Sequence, residues 1–286
     1  MGAVDRAIYG ARDLIRAPIV MALRALEPAR AARARHELAV CAIFREEAPF
    51  LDEWIAFHRG VGASHFYLYN NFSTDHFREV LAPWVEAGVV TLIDWPRPVG
   101  QLPAYRDCLR RARRHCRWIA FIDIDEFLFR PDGVADVRPV LREYADLPGL
   151  EVWQLFFGAN GHESRPDLPV TEAYRRRAPA SRTTVKTIAN PRFVYKVGVH
   201  QFKFWGGPAL DTARRRVIDM LPAALDRLRI NHYWSRSLED LRTKVARGDA
   251  STAYPRQADW HIDFEKTLND EADETILSVA RAITAG

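Results

Sequence analysis

The segment WIAFIDIDEFLF, residues 118–129, carries an apolar strand pattern that runs directly into the acids Asp123, Asp125 and Glu126 and then returns to apolar residues. The interior of a strand rarely accepts an unpaired carboxylate, because burying the charge is costly. The three acids therefore predict that the strand ends here and that a cation meets them. We interpret the segment as the fourth strand of a sheet, running into a loop.

Alternating strand and helix patterns precede this segment. Apolar runs of strand length are separated by amphipathic stretches with helical spacing, several of which end at glycine. The predicted strands are residues 38–44, 65–71 and 89–95, and the predicted helices are residues 46–62, 73–88 and 105–116. Strands that alternate with helices predict an α/β fold with a mostly parallel sheet covered by helices.

The pattern is less regular after Pro131. The predicted elements are strands at 150–161 and 228–234, a β-ribbon at 193–205, a long Arg- and Pro-rich loop or hairpin at 164–192, a helix at 237–248 and a helical tail from Asp263. Ser237 and Asp240 have the three-residue spacing of a capping box, which supports a helix start at this point.

Residues 1–36 form a separate basic and amphipathic helical pattern that Pro18 interrupts. Basic amphipathic helices often lie on anionic membrane surfaces, but a helix packed against the domain or a partner subunit has the same periodicity. Both interpretations stay open. The chain is predicted to divide into an N-terminal helical segment (1–36), an α/β domain (37–250) and a C-terminal helical tail (251–286).

Composition limits the class of protein. With 286 residues, 48% hydrophobic and 27% charged, the chain is typical of a globular protein with a sizeable core. The net charge of +4 favours anionic partners.

Three cysteines without CxxC spacing suggest a reducing compartment. Because no apolar run approaches membrane-spanning length and no secretory signal is visible, we expect a cytoplasmic location, with peripheral contact on the inner membrane face through residues 1–36 as the open alternative.

Polar side chains follow the predicted parallel strands, where ligands of such sheets bind. They are Arg45, Glu46 and Glu47 after the first strand, Asn70 and Asn71 after the second, Asp94 after the third, and Asp123 and Asp125 after the fourth. Neither GxGxxG nor GxxxxGK[ST] occurs, which argues against a dinucleotide or P-loop site. Acids here suit Mg²⁺ or Mn²⁺ bridging to a phosphorylated ligand. On an extended strand Asp123 and Asp125 would lie about 7 Å apart, so one of them would hold the metal and the other a ribose or a metal-bound water.

Four segments in this order resemble GT-A glycosyltransferases of the family-2-like and family-92 type. They are AIFREEAPFLDEWIAFHRGVGASHFYLYNNFSTD (42–75), QLPAYRDC (101–108), WIAFIDIDEFL (118–128) and NHYWSRSLEDLRTKVARG (231–248). The resemblance implies a Rossmann-like GT-A domain over residues 37–250 with a DxD metal site. It also implies transfer, with inversion, from a nucleotide-diphosphate sugar such as a UDP-sugar to a glycan or glycolipid acceptor in polysaccharide biosynthesis.

The resemblance also implies roles for individual residues. Asp123 and Asp125 would hold Mn²⁺ or Mg²⁺ together with a late histidine, for which His232 is favoured and His200 is the rival. Glu126 would contact the donor sugar or support a ligand. The residues expected to bind the donor are Arg45, Glu46, Asn70, Gln101, Tyr105, Asp107, Asp123, Lys244 and Arg247. Inversion needs a base near the acceptor hydroxyl, and Glu163 is the candidate for it.

Two other classes of function stay open. A metal-dependent nucleotidyltransferase or sugar-phosphate enzyme would be expected to carry a Gly-rich basic loop after the first strand, where this chain has FREEAP (44–49). A non-enzymatic membrane- or nucleic-acid-binding protein that uses the arginines would bind without metal, and salt would weaken the binding steeply. We expect no nucleic-acid partner.

Overall fold

The computed structural model describes residues 3–217, 222–252 and 257–285, with side chains from residue 17 to residue 284. The first half of the chain contains α1 (Ala3–Ala32), β1 (His36–Phe44), α2 (Ala48–Gly60), β2 (His65–Asn70), α3 (Phe77–Glu86), β3 (Val90–Asp94), α4 (Gln101–Ala112), β4 (Cys116–Phe121), β5 (Glu126–Phe129) and α5 (Arg138–Glu143). The second half contains β6 (Gly149–Phe157), α6 (Val170–Ala173), β7 (Arg176–Arg177), β8 (Thr183–Ala189), β9 (Val194–Lys196), β10 (Lys203–Phe204), β11 (Arg229–Tyr233), α7 (Leu238–Arg247), α8 (Ala258–Glu265), β12 (Glu271–Ala272) and α9 (Ile276–Ala285).

The described strands form a ten-stranded sheet and a two-stranded ribbon. The main path of the sheet runs β12-β7-β6-β8-β4-β1-β2-β3, and β11 pairs with both β5 and β6. Strands β3, β2, β1 and β4 are parallel neighbours, whereas β8 is antiparallel to both β4 and β6. The ribbon pairs β9 with β10. The α/β class with its parallel half, β-ribbon and C-terminal helices is therefore confirmed.

Two strand predictions need correction. The segment 118–129 is not one strand, because the chain leaves the sheet after Phe121 and re-enters it at Glu126 to pair with β11. Asp123 and Asp125 lie in the loop between the two strands, where they contact Lys186 and Lys244, whereas Glu126 begins β5. The expected loop or hairpin at 164–192 contains β8, which lies inside the sheet and carries Lys186.

Helices cover both faces of the sheet, which separates two hydrophobic cores. Alternate residues of β1 face opposite cores: Val40 belongs to the larger core and Cys41 to the smaller one. Helices α2, α3, α5 and α9 pack into the larger core, and α4 and the ribbon into the smaller one. The three cysteines are free and buried.

Helix α1 is anchored to the domain by the buried carboxylate of Glu27. This carboxylate accepts hydrogen bonds from Arg117, from Arg192 at 2.8 Å and from Asn190 at 2.8 Å. Away from this contact the helix is open, since Ile19 and Met21, on its two flanks, are 59% and 71% exposed. The side chains of the earlier predicted apolar positions Ile8, Leu14 and Ile15 lie outside the described part. The inner and outer faces of α1 thus have different environments.

Candidate active site

The carboxyl ends of the parallel strands open onto a cleft of about 420 Å³. Eight of the residues proposed from the sequence line it, together with Glu47, Glu126, Lys186 and several aromatic side chains. Those eight are Arg45, Gln101, Asp123, Asp125, His200, His232, Lys244 and Arg247. The cleft is not the largest cavity of the protein, but it gathers acids, cations and imidazoles at the edge of the sheet where ligands of parallel sheets bind.

Strand pairing brings His232 to the acid loop. In the antiparallel pair of β11 and β5, His232 lies opposite Glu126. The Glu126 side chain is fully buried, and its Oε2 accepts a hydrogen bond of 3.1 Å from the backbone N–H of Asp123. The loop between β4 and β5 is therefore folded back on itself, and Asp125 and Glu126 lie beside His232 of β11.

Asp125, Glu126 and His232 form a cluster that fits a divalent cation. One ligand atom from each of the three lies within 4.8 Å of the others. His232 Nε2 is 3.3 Å from Asp125 Oδ2, and His232 Nδ1 is 3.4 Å from Glu126 Oε1. Glu126 Oε1 and His232 Nδ1 are buried and make no hydrogen bond. Buried polar atoms without a hydrogen bond are costly, and two carboxylates with an imidazole are a donor set that suits Mn²⁺.

Asp123 lies beside this cluster and is not one of its three members. Its Oδ2 is 2.5 Å from Lys186 Nζ, and Oδ1 accepts a longer hydrogen bond of 3.4 Å from Gln101. Lys186 also lies 3.3 Å from Glu126 Oε1. The structure thus brings Asp125 and His232 together as proposed, but places Glu126 where the sequence suggested Asp123.

Opposing charges set the protonation states in the cleft. Burial favours the neutral form of Asp125, but Lys244 and His232 outweigh it and hold the pKa of Asp125 well below its usual range. Burial likewise favours neutral Lys186, but Asp123 and Glu126 outweigh it and raise the lysine pKa. For Glu126, burial dominates over Lys186 and raises the pKa to about 7. The cleft therefore holds an ionised Asp125 and a charged Lys186.

Helix α7 closes one side of the cleft through two cations. It begins with the predicted capping box of Ser237 and Asp240. Lys244 Nζ lies 2.5 Å from Asp125 Oδ2, and Arg247 binds Glu47 and the backbone oxygens of the loop after β1. Lys244 and Arg247, one helical turn apart, therefore both face the cleft.

A buried ion pair supports this side of the site. Arg236 lies 2.6 Å from Glu47 Oε2, and its guanidinium carbon is 3.5 Å from the centre of the Phe50 ring. Glu47 accepts from Arg247 as well. Burial would raise the pKa of Glu47, but the two arginines outweigh it and the pKa is lowered. This carboxylate therefore links the turn before α7 to the loop after β1.

Aromatic side chains of α8 and of the turn before α7 form another part of the cleft wall. Trp260 stacks on Phe264 at a centroid distance of 5.1 Å, and Trp234 stacks on His261 at 5.3 Å. Trp260 is 54% exposed. Exposed rings beside a polar cleft offer flat apolar surfaces for a ligand.

Five of the proposed residues do not line the cleft. Glu46 lies at its edge, Asn70 donates to Asp94 at 3.0 Å, Tyr105 is buried and accepts from Gln101, and Asp107 accepts from Tyr69 and Arg111. The side chain of Glu163 is 73% exposed and lies 3.5 Å from Arg242. These positions place Asn70, Tyr105 and Asp107 in supporting contacts around the cleft.

Sequence analysis missed Lys186, Arg236 and the aromatic side chains of α8, and gave Glu47 no role beyond its position after the first strand. Lysine in the alternating stretch TTVKTIA (183–189) was the available signal, since a lysine inside a strand pattern needs an acid nearby. Arg236 had no comparable local signal, because its partner Glu47 is 189 residues away in the chain.

Comparison with known proteins identifies proteins that are similar to this chain. A glycosyltransferase family 92 protein of Oryza sativa subsp. japonica is 36% identical over 152 residues, which are 52% of this chain and 26% of that protein. A galactan beta-1,4-galactosyltransferase of Arabidopsis thaliana is 31% identical over 182 residues, or 58% of this chain and 35% of that protein. The crystal structure of S. aureus TarS 1-349 in complex with UDP superposes with a TM-score of 0.34 and 10% identity, over 54% of this chain and 47% of that one.

Each match covers a larger share of this chain than of the relative. The chain spans less than half the length of the curated relatives that it matches. In contrast, the family model described as "Glycosyltransferase family 92" matches residues 36–271, which include the whole ten-stranded sheet except Ala272, the last residue of β12. The chain belongs to glycosyltransferase family 92.

Proposed function

We propose that this protein transfers a hexose from a nucleotide-diphosphate sugar, a UDP-sugar in particular, to a glycan or glycolipid acceptor, with a requirement for Mn²⁺ or Mg²⁺. The observation that carries the proposal is the buried cluster of Asp125, Glu126 and His232, in a cleft that also presents Lys244 and Arg247. The named activity of the Arabidopsis relative, a galactan galactosyltransferase, supports a hexose and a polysaccharide product.

Each group of residues has a separate task in this proposal. Asp125, Glu126 and His232 would hold the metal ion, which supplies positive charge to the donor diphosphate. Lys244 and Arg247 add cationic hydrogen-bond donors where the leaving diphosphate gains charge. Lys186 fixes the position of Asp123 through a short ion pair. Trp234 and Trp260 offer apolar faces to the acceptor.

The proposal includes inversion at the anomeric carbon of the sugar and a base that acts on the acceptor hydroxyl. Glu163 is the proposed base, although its side chain lies outside the cleft, and Glu163→Gln tests it. A transfer rate lowered at least a hundredfold, with donor hydrolysis unchanged, supports the role. An unchanged transfer rate removes Glu163 from the mechanism and directs attention to Asp249, an acid that lines the cleft.

Peripheral contact with an anionic membrane through α1 is a second proposal. Among the residues described, no helix combines the length and the apolar character needed to cross a bilayer. From residue 17 to residue 35 the only acid is Glu27, which is buried, while Ile19 and Leu26, seven residues apart on one face of the helix, are exposed beside Arg30. An apolar helix face next to a cation fits the interface of an anionic bilayer.

A panel of nucleotide sugars tests the enzymatic proposal. We expect hydrolysis of one UDP-hexose in the presence of Mn²⁺, loss of this activity with a chelator, and its recovery when Mn²⁺ is restored. Sugar-1-phosphate with a nucleoside triphosphate is the parallel arm: release of pyrophosphate there, without hydrolysis of any nucleotide sugar, would instead establish the nucleotidyltransferase alternative.

A further inference from the structure

A second and larger cavity lies next to the proposed active-site cleft. It has a volume of about 740 Å³ and is formed by the outer face of α4, the loop after β3, and β9 of the ribbon. None of the residues proposed for catalysis or metal binding lines it, and Asp107 is the only proposed donor-binding residue that does. We call this cavity the α4 pocket.

The α4 pocket concentrates positive charge. Five cationic side chains and a single carboxylate, Asp107, line it, which gives a formal balance of +4. The cations are Arg97, Arg106, Arg110, Arg113 and Lys196. This balance equals the formal net charge of the whole chain.

The one carboxylate of the pocket is already engaged. Asp107 accepts hydrogen bonds from Tyr69 at 2.9 Å, from Arg111, and from Arg110 at 3.2 Å. Among the described residues, no carboxylate forms an ion pair with Arg106 or Lys196, and both are exposed. Uncompensated cations in a concave surface attract an anion more strongly than cations on a flat surface do.

Aromatic rings line the same cavity. The guanidinium of Arg97 lies 4.5 Å from the centre of the Trp95 ring. Tyr195 is 39% exposed and stacks on Trp205 with centroids 4.5 Å apart. Flat apolar surfaces between cations suit a ligand that carries both sugar rings and anionic groups.

Two elements connect the α4 pocket with the cleft. Gln101, at the start of α4, lines the cleft, whereas Arg106 lines the pocket, and five helical residues correspond to about 8 Å along the axis. In the ribbon, Val197 lines the pocket while His200 lines the cleft. An extended ligand that leaves the cleft along these elements therefore reaches the pocket.

We propose that the α4 pocket binds an anionic segment of a saccharide chain, one that carries carboxylate groups, and so holds the acceptor while its end lies in the cleft. The concave shape and the two aromatic side chains favour a saccharide over a flat bilayer or a nucleic acid. The acceptor role rests on the proposed sugar-transfer function, whereas the binding itself does not.

Calorimetry with defined oligosaccharides tests the binding without donor or metal. The probes are a trimer of galacturonate and a neutral galactan trimer. We expect the wild-type protein to bind the anionic trimer at least tenfold more tightly than the neutral one, with an affinity that falls as salt is raised. Double reversal by Arg106→Glu and Lys196→Glu brings the formal balance of the pocket to zero and should weaken binding of the anionic trimer at least tenfold.

A matched control is available on the other side of the sheet. Arg281 is exposed on α9, which packs into the opposite core, and forms no ion pair among the described residues. Arg281→Glu should leave the binding unchanged. Equal binding of both trimers, or equal losses in Arg281→Glu and the double variant, would overturn the proposal. Vesicles with 30% phosphatidylserine provide the other arm of the test. If the protein binds these vesicles but neither trimer, and only the double variant loses the vesicle binding, the pocket is assigned to lipid.

The outcomes also separate this proposal from the enzymatic one. If the anionic trimer binds as described but no nucleotide sugar is hydrolysed, the pocket stands and the transferase function fails. If donor is hydrolysed normally in wild type and double variant while neither trimer binds, only the pocket proposal is overturned.

Discussion

Lys244 Nζ lies 2.5 Å from Asp125 Oδ2, although the two residues are 119 positions apart in the chain. Asp125 belongs to the loop after β4 and Lys244 to α7, so the contact joins the start of the site to its last helix. Together with His232, Lys244 keeps the pKa of Asp125 well below its usual range, against the effect of burial. Asp125 is therefore ionised and able to hold a cation at neutral pH.

We expect Asp125→Asn to reduce Mn²⁺-dependent donor hydrolysis about a thousandfold, which corresponds to about 4 kcal/mol of transition-state stabilisation. The change removes one charged oxygen ligand and keeps the shape of the side chain. The measurement is kcat, with a thermal melt to show that the fold is retained. Asp263→Asn, at an exposed acid of α8, is the control. Near wild-type turnover in Asp125→Asn would show that Asp125 is not a metal ligand.

The two histidines of the cleft should differ in their effect on metal binding. His232 lies in the cluster with Asp125 and Glu126, whereas His200 Nδ1 lies 3.2 Å from the backbone oxygen of Val185 and outside that cluster. We expect His232→Ala to raise the half-saturating Mn²⁺ concentration at least tenfold and His200→Ala to leave it unchanged. Titration of donor hydrolysis without acceptor measures both. A curve that His200→Ala shifts and His232→Ala does not would reverse the assignment.

Glu27→Gln should destabilise the protein by about 3–5 kcal/mol, because Arg117 and Arg192 would keep their buried charges without a carboxylate. Chemical denaturation measures the free energy of unfolding. Glu37→Gln provides the control, since its partner Arg142 is 63% exposed and such surface pairs contribute little to stability. A loss no larger than that of the control would mean that α1 does not stabilise the domain.

Ile19→Glu should reduce binding to vesicles that contain anionic lipid, because it places a carboxylate on the exposed apolar face of α1 that includes Leu26. Co-sedimentation at low and physiological salt measures the effect, and we expect at least a threefold loss. Leu168→Glu, at an apolar side chain of similar exposure far from α1 in sequence, should not change the binding. Equal vesicle binding by all three proteins would leave α1 as a packing element alone.

Glu151 gives the stability of the fold a specific pH dependence. Burial raises the pKa of Glu151 to about 7 from an ordinary value of 4.5, although Gln201 donates a hydrogen bond to it. Between these two values the unfolded chain releases the proton and the folded protein retains it, so the stability falls as pH rises and then levels off above about 7. Glu151→Gln should therefore stabilise the protein at pH 8, by at most about 3 kcal/mol, and have little effect at pH 4. Urea denaturation at both values checks this, and an equal effect at both would contradict it.

The parallel half of the fold could be predicted because local patterns carry it. The runs that became β1 and β2 are almost entirely buried, β3 is a short and partly buried run, and glycines mark the ends of the helices between them. The division of the chain at residues 36 and 250 stays a prediction. The predicted strand boundary that was wrong depends on a partner that is distant in the chain. Phe127 and Leu128 have the pattern of a continued β4, but they pair with β11.

The site was predictable in its acids but less so in its pairing. Asp123 and Asp125 are separated by one residue, and the sequence does not show that Lys186 engages the first and Lys244 the second. Glu126 was assigned a supporting contact, because a strand pattern does not reveal that its Oε1 lies beside His232. The partners of these acids come from β8, β11 and α7, and only the packing of those elements decides which partner meets which acid.

The position of β11 constrains the order in which the protein can assemble during translation. The strand pairs in parallel with β6 and antiparallel with β5, and it places His232 opposite Glu126. Pairings between segments this distant in the chain form slowly, because a long loop must close before any contact is gained. A nascent chain that has emerged only as far as β10 holds all three acids of the loop after β4, but neither the histidine nor the helix that meets them. The cluster of Asp125, Glu126 and His232 is therefore complete only after β11 has been synthesised and has paired with β5 and β6.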